Sequence, residues 1–571
     1  MDIEQRPLSA NERIKESSRF LRGTIADSLT RIETGSLADD DTQLTKFHGF
    51  YQQDDRDLRA ERGRQRLEKA FSYMVRMRVP AGIVSPQQWL AIEKIALERA
   101  NRTIRLTTRE TVQFHGVLKS NLTPLMQGLA AINLDTIAAC GDVNRNVIAT
   151  ADPSRGGLHE VVATLARDIS EHLLPRTRAW HEIWLGEQRV AGAPVEDEPI
   201  LGRTYLPRKF KIGIAIPPQN DTDLFAQDLG FIAIVERGKI VGYNVTAGGG
   251  MGMTHGEPET YPRNADVIGY CTRDDAIAVA EAVVTVQRDY GDRSNRKHAR
   301  LKYTIDTLGL EIFISLVNDR LKTKLAPARP FKFETTGDRL GWFNEKDGRS
   351  HFTLYIENGR IFDRAQRRMM TGLHRIAELN VGRFIMTANQ NIIIADIPAA
   401  SRQAVADLLA EHGLDDAQGG LRRNAIACVG LPTCGLSLAE SERYLPDLIT
   451  RLEAEADRYG LGQTDITIRM TGCPNGCARP YVSEIGLVGR TPGVYNLYIG
   501  GAHEGARLSK LYRRDVDGDG IVAALSPLFA AYAEQRKRNE RFGDFVIRAG
   551  FIAETKTGLD FHENLSPDLR T

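Results

Sequence analysis

Four of the six cysteines in the chain fall in two short loops, Cys428-Val-Gly-Leu-Pro-Thr-Cys434 and Cys473-Pro-Asn-Gly-Cys477. Thiolates at this spacing suit a metal or a metal–sulfur cluster better than a disulfide. Gly and Pro allow sharp turns, so backbone N–H groups can point back at sulfur. Structural zinc usually shows C-x2-C pairs, whereas these pairs enclose five and three residues. A c-type haem needs C-x-x-C-H, which is absent. An iron–sulfur centre is the leading reading, with zinc and buried or redox cysteines as the alternatives. Cys140 and Cys271 read as ordinary small core residues.

The second chemical signal is cationic. Arg76 and Arg78, and Lys209 and Lys211, are i, i+2 pairs in strand-like segments, so each pair is expected to face one side. Arg105, Arg109 and Arg145 add fixed charge. Planar guanidinium suits bidentate oxyanion contacts, and a lysine ammonium can also deliver a proton. Any one of these is by itself an ordinary solvated cation; flanked by apolar strand residues, together they read as an anion site. His115 is either a proton relay or a core histidine. The run Ala247-Gly-Gly-Gly250-Met-Gly252 does not open a helix in the G-x-G-x-x-G manner, so it is not a dinucleotide site. It reads instead as backbone approaching a flat cofactor.

The two cysteine loops, in the form Ala427-Cys428 and Thr471-Gly-Cys473, resemble the cluster signature of the sulfite and nitrite reductases that carry sirohaem. The likeness runs through most of the chain. It includes Arg105-Leu-Thr-Thr-Arg109-Glu-Thr-Val-Gln-Phe-His115, Asn144-Arg145-Asn146-Val147, Leu206-Pro-Arg-Lys209-Phe-Lys211 and Phe545-Val-Ile-Arg-Ala-Gly550. The resemblance implies that Cys428, Cys434, Cys473 and Cys477 hold a [4Fe–4S] cluster, with Cys477 also ligating the sirohaem iron. It implies that Arg76, Arg145, Lys209 and Lys211 hold the substrate, with Arg78 the competitor of Arg76. It places Arg105, Arg109, Gln113, His115, Asn146 and Gly249 against the cofactor. The implied reaction is the six-electron reduction of sulfite to sulfide in sulfate assimilation and cysteine biosynthesis. Relatives acting on nitrite tend to carry Asn where Lys211 stands. The implied electron donor is a flavoprotein alpha subunit with FAD and FMN that oxidises NADPH, in a hetero-oligomer, or else ferredoxin. A zinc-stapled structural protein is the reading from another class.

These residues need elements to position them, and 571 residues are too many for one core. The apolar share of 42 % and charged share of 26 % are those of an ordinary globular protein. A net charge of +1 gives no global attraction to nucleic acid or to an anionic membrane. The charged N-terminus has no secretory h-region and no run reaches membrane-spanning length, so cytoplasm and reduced thiols are expected. Asp57–Arg76 reads as an amphipathic helix and Met74–Val79 as a strand. Ser85-Pro86 opens a helix.

The grammar then repeats. Val79–Gly82 parallels Ile356–Gly359 at an offset of 277, Thr107–Phe114 parallels Thr387–Ile394 at 280, and Arg145–Thr150 parallels Arg423–Cys428 at 278. Tyr243–Gly249 parallels Tyr495–Gly501 at 252, after an insertion in the first half. An internally duplicated α/β (α+β) fold with pseudo-twofold symmetry and a cofactor between its halves is expected. The expected blocks are an arm over 1–55, mobile or partner-docking; a central domain from 56–137 and 341–415; a substrate and sirohaem domain over 138–340; and a cluster domain over 416–571. Thr150 stands where Cys428 stands, so only the second half carries cluster ligands.

Overall fold

The repeat in the sequence is a repeat of sheets. A computed structural model describes residues 7–184, 197–345, 347–416, 418–565 and 569. Two five-stranded sheets form the centre. The first runs Phe50–Asp54, Phe71–Arg76, Val112–Val117, Ile104–Leu106, Arg360–Ile361; the second runs Gly341–Asn344, Ser350–Leu354, Ile392–Ile397, Arg383–Met386, Ile83–Val84. The last strand of each sheet comes from the other half, so the halves exchange edge strands. The turns that send each strand across are twins: Ala81 and Asn358 have φ of 58° and 52°, and Gly82 and Gly359 have φ of 69° and 72°. A Cβ on Gly82 would lie 2.4 Å from the Met386 carbonyl oxygen, and one on Gly359 2.5 Å from that of Leu106. Only glycine permits both the left-handed turn and that approach. The helix Pro86–Arg99 opens on a Ser85–Gln88 capping box, and its Trp89 stacks on Phe384 of the other half at 5.3 Å. One apolar core therefore spans both halves.

Two further five-stranded sheets carry the chemistry. One consists of Ile148–Ala149, Ile212–Ala215 and Leu229–Glu236 in parallel, then Lys239–Ala247 and Asp266–Thr272 antiparallel. Its twin has Ala425–Ala427, Ile468–Thr471 and Ile485–Thr491 in parallel, then Val494–Ile499 and Lys510–Val516 antiparallel. Helices Gly157–His172 and Ala276–Tyr290 pack in the core of the first, and Leu445–Asp457 and Gly518–Gln535 in the core of the second. Asp223 and Arg479 occupy matching left-handed turns, and these twins meet: Asp223 accepts from Arg479 Nε and, at 2.6 Å, from Arg469 Nη1. Equivalent residues in contact lie beside the pseudo-twofold axis.

Three expectations change. Only Arg59–Arg64 of the expected Asp57–Arg76 helix is helical; Phe71–Arg76 is a strand, because Tyr73 and Val75 alternate inward and pair across two neighbours. The arm, of which residues 1–6 lie outside the described residues, is folded. Helices Ala10–Ser17, Ile25–Thr30 and Asp39–Leu44 bring Leu21, Ile25, Leu44 and Phe47 into the core of the sheet that contains Ile212–Ala215, skipping the central domain that comes next in sequence. The acidic run Asp39-Asp40-Asp41 starts a helix, where its charge suits the dipole, and Asp41 accepts from Thr24 and Ser28. Finally, Gly249 and its twin Gly501 face backbone, not an open cofactor face: a Cβ on either would lie 2.2 Å from the carbonyl oxygen of Phe225 or Ser483. No described helix is long and apolar enough to cross a membrane.

Candidate active site

Strands Ala425–Ala427 and Ile468–Thr471 run parallel side by side, and their C-terminal ends deliver Cys428 and Cys473 to one place. Cys434 and Cys477 follow on the same two loops. All four thiols are free, and among them Cys477 is the exposed one. Burial, and then Cys477, Cys473 and Cys434, push the Cys428 thiol up, and burial with Cys477 and Cys473 pushes Cys434 up to about 12. Four thiolates so close need a strongly cationic guest. Four gathered cysteine thiols are the ligand set that holds a [4Fe–4S] cluster. Donors already face the sulfurs: Gly472 N–H reaches Cys428 Sγ at 3.3 Å and Asn475 Nδ2 reaches Cys473 Sγ at 3.5 Å.

The cysteine loops and the cations are electrostatic neighbours. Cys477 favours the charge on Arg76, Lys209 and Lys211, and Lys209 in turn favours the thiolate of Cys473. Lys209 and Lys211 stand just before strand Ile212–Ala215, with Phe210 between them bridged to Asn144. Neither lysine has a carboxylate partner among the described residues. Burial, reinforced by Arg208, pulls Lys209 down to about 7, and burial with Lys209 and Arg300 holds Lys211 well below the ordinary lysine value. Arg145 is held by the Gly141 carbonyl at 2.8 Å. Arg76 and Arg78 diverge rather than face one side. Arg78 is consumed by Asp135 at 2.6 Å and Glu171 at 2.7 Å. Arg76 donates to Cys140 Sγ at 3.0 Å, and a rotated Gln113 amide accepts from its Nε at 3.2 Å. Burial disfavours the charge on Arg76, but Cys140, Tyr51 and Cys477 outweigh it and raise its pKa.

The residues expected around a macrocycle divide. Arg109 donates to Gln227 at 2.7 Å and to the Asn146 and Ile212 carbonyls, and its buried Nε has no partner. His115 is buried, with Nδ1 unpartnered; burial, and then Arg360 and Arg105, hold its pKa well below the ordinary histidine value. Asn146 uses both amide donors on backbone, accepting from Val79 N–H and donating to the Val79 and Arg109 carbonyls at 2.8 Å each, so it positions Arg109 and has no donor left for a cofactor carboxylate. Arg105 is clamped by Glu442 at 2.6 Å and by the Ala427 carbonyl at 2.9 Å, which ties the central sheet to the cluster strand. Its counter-ion lies 337 residues on, beyond any local pattern.

Sequence reasoning missed several participants. Asp228 pairs with Arg300 at 2.8 Å and accepts from the Lys211 backbone at 3.0 Å. Fully buried Lys302 donates to the carbonyls of Gly250, Gly252 and Tyr261. That bond set shapes the glycine run, and Met253 N–H then bonds Pro474 of the cluster loop at 2.9 Å. Cys140 lies against Arg76, not inertly in a core. The unpaired lysines and the orphaned Arg109 Nε are donors that fit a polyanionic cofactor, as sirohaem with its eight carboxylates is.

Comparison with known proteins agrees. Residues 166–325 match the family described as nitrite and sulphite reductase 4Fe-4S domain, and residues 65–132 and 343–412 match the nitrite/sulfite reductase ferredoxin-like half domain. The first span contains Lys209 and Lys211 but none of the four clustered cysteines, which lie in its twin. The chain is 58 % identical over 559 residues to a sulfite reductase [NADPH] hemoprotein beta-component of Methylobacterium nodulans, covering 97 % of this chain and 93 % of the relative. It is 54 % identical to one of Chromohalobacter salexigens, covering 98 % of each. The solved structure of Mycobacterium tuberculosis NirA protein superposes with a TM-score of 0.78 at 25 % identity, covering 95 % of this chain and 97 % of that one.

Proposed function

The chain belongs to the nitrite and sulfite reductase family, and from that premise we propose the division of labour by which it reduces sulfite to sulfide. The observation that carries the reading is that parallel strands deliver Cys428 and Cys473 to one place, where the cysteine loops interact with Arg76, Lys209 and Lys211. Cys428, Cys434, Cys473 and Cys477 would hold the [4Fe–4S] cluster, and Cys477 would also hold the sirohaem. When bound, these groups would supply the electron-transfer and redox chemistry of the reaction.

The chain's own residues manage charge and protons. Arg76 and Arg145 present guanidinium groups to sulfite oxygens, and their backbone and Cys140 contacts fix them before substrate arrives. Three oxygens must leave as water, so each needs protons. Lys209, brought to about 7 by burial and Arg208, and Lys211, held well below the ordinary lysine value by burial and Lys209, are suited to hold a proton at Nζ and release it. Arg109, steadied by Asn146, borders the cofactor with Gln113 and His115. Residues 56–137 with 341–415 act as the frame, 138–340 as the substrate domain and 416–571 as the cluster domain. The electron donor we assign is a flavoprotein alpha subunit oxidising NADPH, in a cytoplasmic hetero-oligomer; ferredoxin is the donor the same test would reveal.

The test is the visible spectrum of protein from sirohaem-producing cells, followed by sulfide formation with each donor. A Soret band and a red band, with sulfite consumed to sulfide, are expected. Colourless protein with stoichiometric zinc overturns the reading. Preference for nitrite would move the substrate assignment, against Lys211.

A further inference from the structure

The arm brings a charge of its own to the cation set. Lys46 follows helix Asp39–Leu44 and donates to Gln43 Oε1 at 2.5 Å; among the described residues no carboxylate lies within ion-pair distance of it. Its ammonium stands 5.8 Å from the Tyr51 ring. Lys46 borders, with Asp142, Gly141 and Arg296, a cavity of about 10 Å³, large enough for one water. The Gly141 carbonyl is the one that holds Arg145. Lys46 also interacts with Cys140, the thiol that receives Arg76.

Behind Lys46 the positive charge is in surplus. Five cations (Lys15, Lys46, Arg208, Arg293, Arg296) face two carboxylates, Glu12 and Asp142, leaving three in excess. Glu12 is taken by Lys15 and Arg293, and Asp142 chiefly by Arg296 at 2.8 Å. Arg208 stays 3.8 Å from Asp142. Both Arg208 and Arg296 keep 28 % of their side chains exposed, so solvent reaches them. Arg208 is the chain neighbour of Lys209, and Asp142 that of Gly141, whose carbonyl holds Arg145 at 2.8 Å.

We propose that Lys46 of the N-terminal arm, with Arg208 and Arg296, draws the oxyanion substrate toward Lys209 and Arg145, so that the arm is a substrate-admission element of the enzyme. This rests on the sulfite-reducing reading above. A row of fixed cations raises the local concentration of a small dianion and its rate of arrival, and salt screens that effect. Burial brings Lys46 to about 8, so it is charged at neutral pH. A second anion, a carboxylate of the bound cofactor, has the same chemistry, and the test separates the two.

The holoenzyme, reduced by a small chemical donor so that no partner protein is needed, is assayed for sulfite kcat and KM across ionic strength. Lys46→Gln is expected to lower kcat/KM about fivefold at low salt, mostly through KM, and to flatten its salt dependence. Lys46→Arg restores both. Equal losses in kcat and kcat/KM with an unchanged salt slope would make the role merely structural and overturn the proposal. Loss of the Soret band in Lys46→Gln or Arg208→Gln would assign these cations to cofactor carboxylates and also overturn it. Wild-type protein that carries its cofactors yet consumes no sulfite would instead sink the parent reading, and this one with it.

Discussion

The two large α/β halves share strand order, direction and turn geometry, yet only one carries the four clustered cysteines. Gly248 and Gly500 have φ of 90° and 91°, and the strands Ile212–Ala215 and Ile468–Thr471 occupy equivalent places. In that register Thr150 is the twin of Cys428, and Asp221 the twin of Cys477. In the first half these twins touch: Thr150 Oγ1 donates to Asp221 Oδ1 at 3.0 Å, and Ala151 N–H fills the other oxygen at 2.9 Å. The short, complementary pair closes the space. In the second half the same backbone carries four soft thiols that cannot satisfy one another and that suit irons. The site is thus a matter of side-chain chemistry at a few positions on a common scaffold.

The sharpest way to break the comparison is to write the first half into the second. Cys428→Thr should abolish iron, acid-labile sulfide and turnover together, read by metal analysis and the visible spectrum; a retained cluster would mean the ligand assignment is wrong. Lys211→Met probes the complementary asymmetry, the cations that only the first half supplies. It should keep both cofactor spectra and lower kcat about a hundredfold or more, the usual contribution of a positioned proton donor. Unchanged turnover would remove Lys211 from the chemistry.

The exchanged edge strands offer a third contrast. Ile83 pairs with Ile385 in one sheet, while the matching pair in the other is Arg360 opposite Arg105. Like charges directly opposed across antiparallel strands destabilise the pair, and Glu442 from the cluster domain compensates by contacting both at 2.6 Å. Burial opposes its charge, but Arg360 and Arg105 pull the Glu442 carboxyl down to about 2. Glu442→Gln should cost about 3 kcal/mol in chemical denaturation, as for other mostly buried ion pairs deprived of one partner. A loss within error would show that the arginines find another counter-charge.

Lys209 gives a pH signature that the second half, with Asp465 at the matching place, lacks. Between about pH 7 and the ordinary lysine value of 10.5 the unfolded chain holds a proton that folded Lys209 has released, so stability rises with pH through that window. Below about 7 both states are protonated and the full cost of the buried charge remains. Cofactor-free protein should therefore have a thermal midpoint that climbs from pH 7 to 9, and Lys209→Gln should shrink the climb. An identical slope in the two proteins would place the titration elsewhere.

Local sequence carried much of this. The cysteine spacings, the repeated Asn-Arg-Asn and Arg-Asn-Ala segments and the cap at Ser85 are properties of neighbouring residues, and the matching structure is local. What was not legible depends on partners far along the chain. Arg76 and Arg78 are indistinguishable until Asp135 and Glu171 claim one of them. Asn146 looks like a cofactor contact until Val79 and Arg109 occupy its amide. The arm reads as polar and loose because the groups that fix it, the Arg293 and Leu206 carbonyls, lie far away in sequence. Strand exchange is invisible in any window, since Gly82 is explained by Met386.

The smallest expected effect sharpens the opening comparison most. Thr150→Cys places a cluster-type ligand at the matching position of the closed half. The hydroxyl it removes has two duties, donating to Asp221 and accepting from Ile216 N–H at 2.9 Å. A thiol serves both weakly, so a loss of about 1–2 kcal/mol is expected. Iron content should not change, because Asp221, Pro217 and Gly156 still stand where the second half has Cys477, Cys473 and Cys434. Extra iron in this variant would show that one thiol suffices to open the closed half, and that Asp221 is a latent ligand rather than the residue that shuts it.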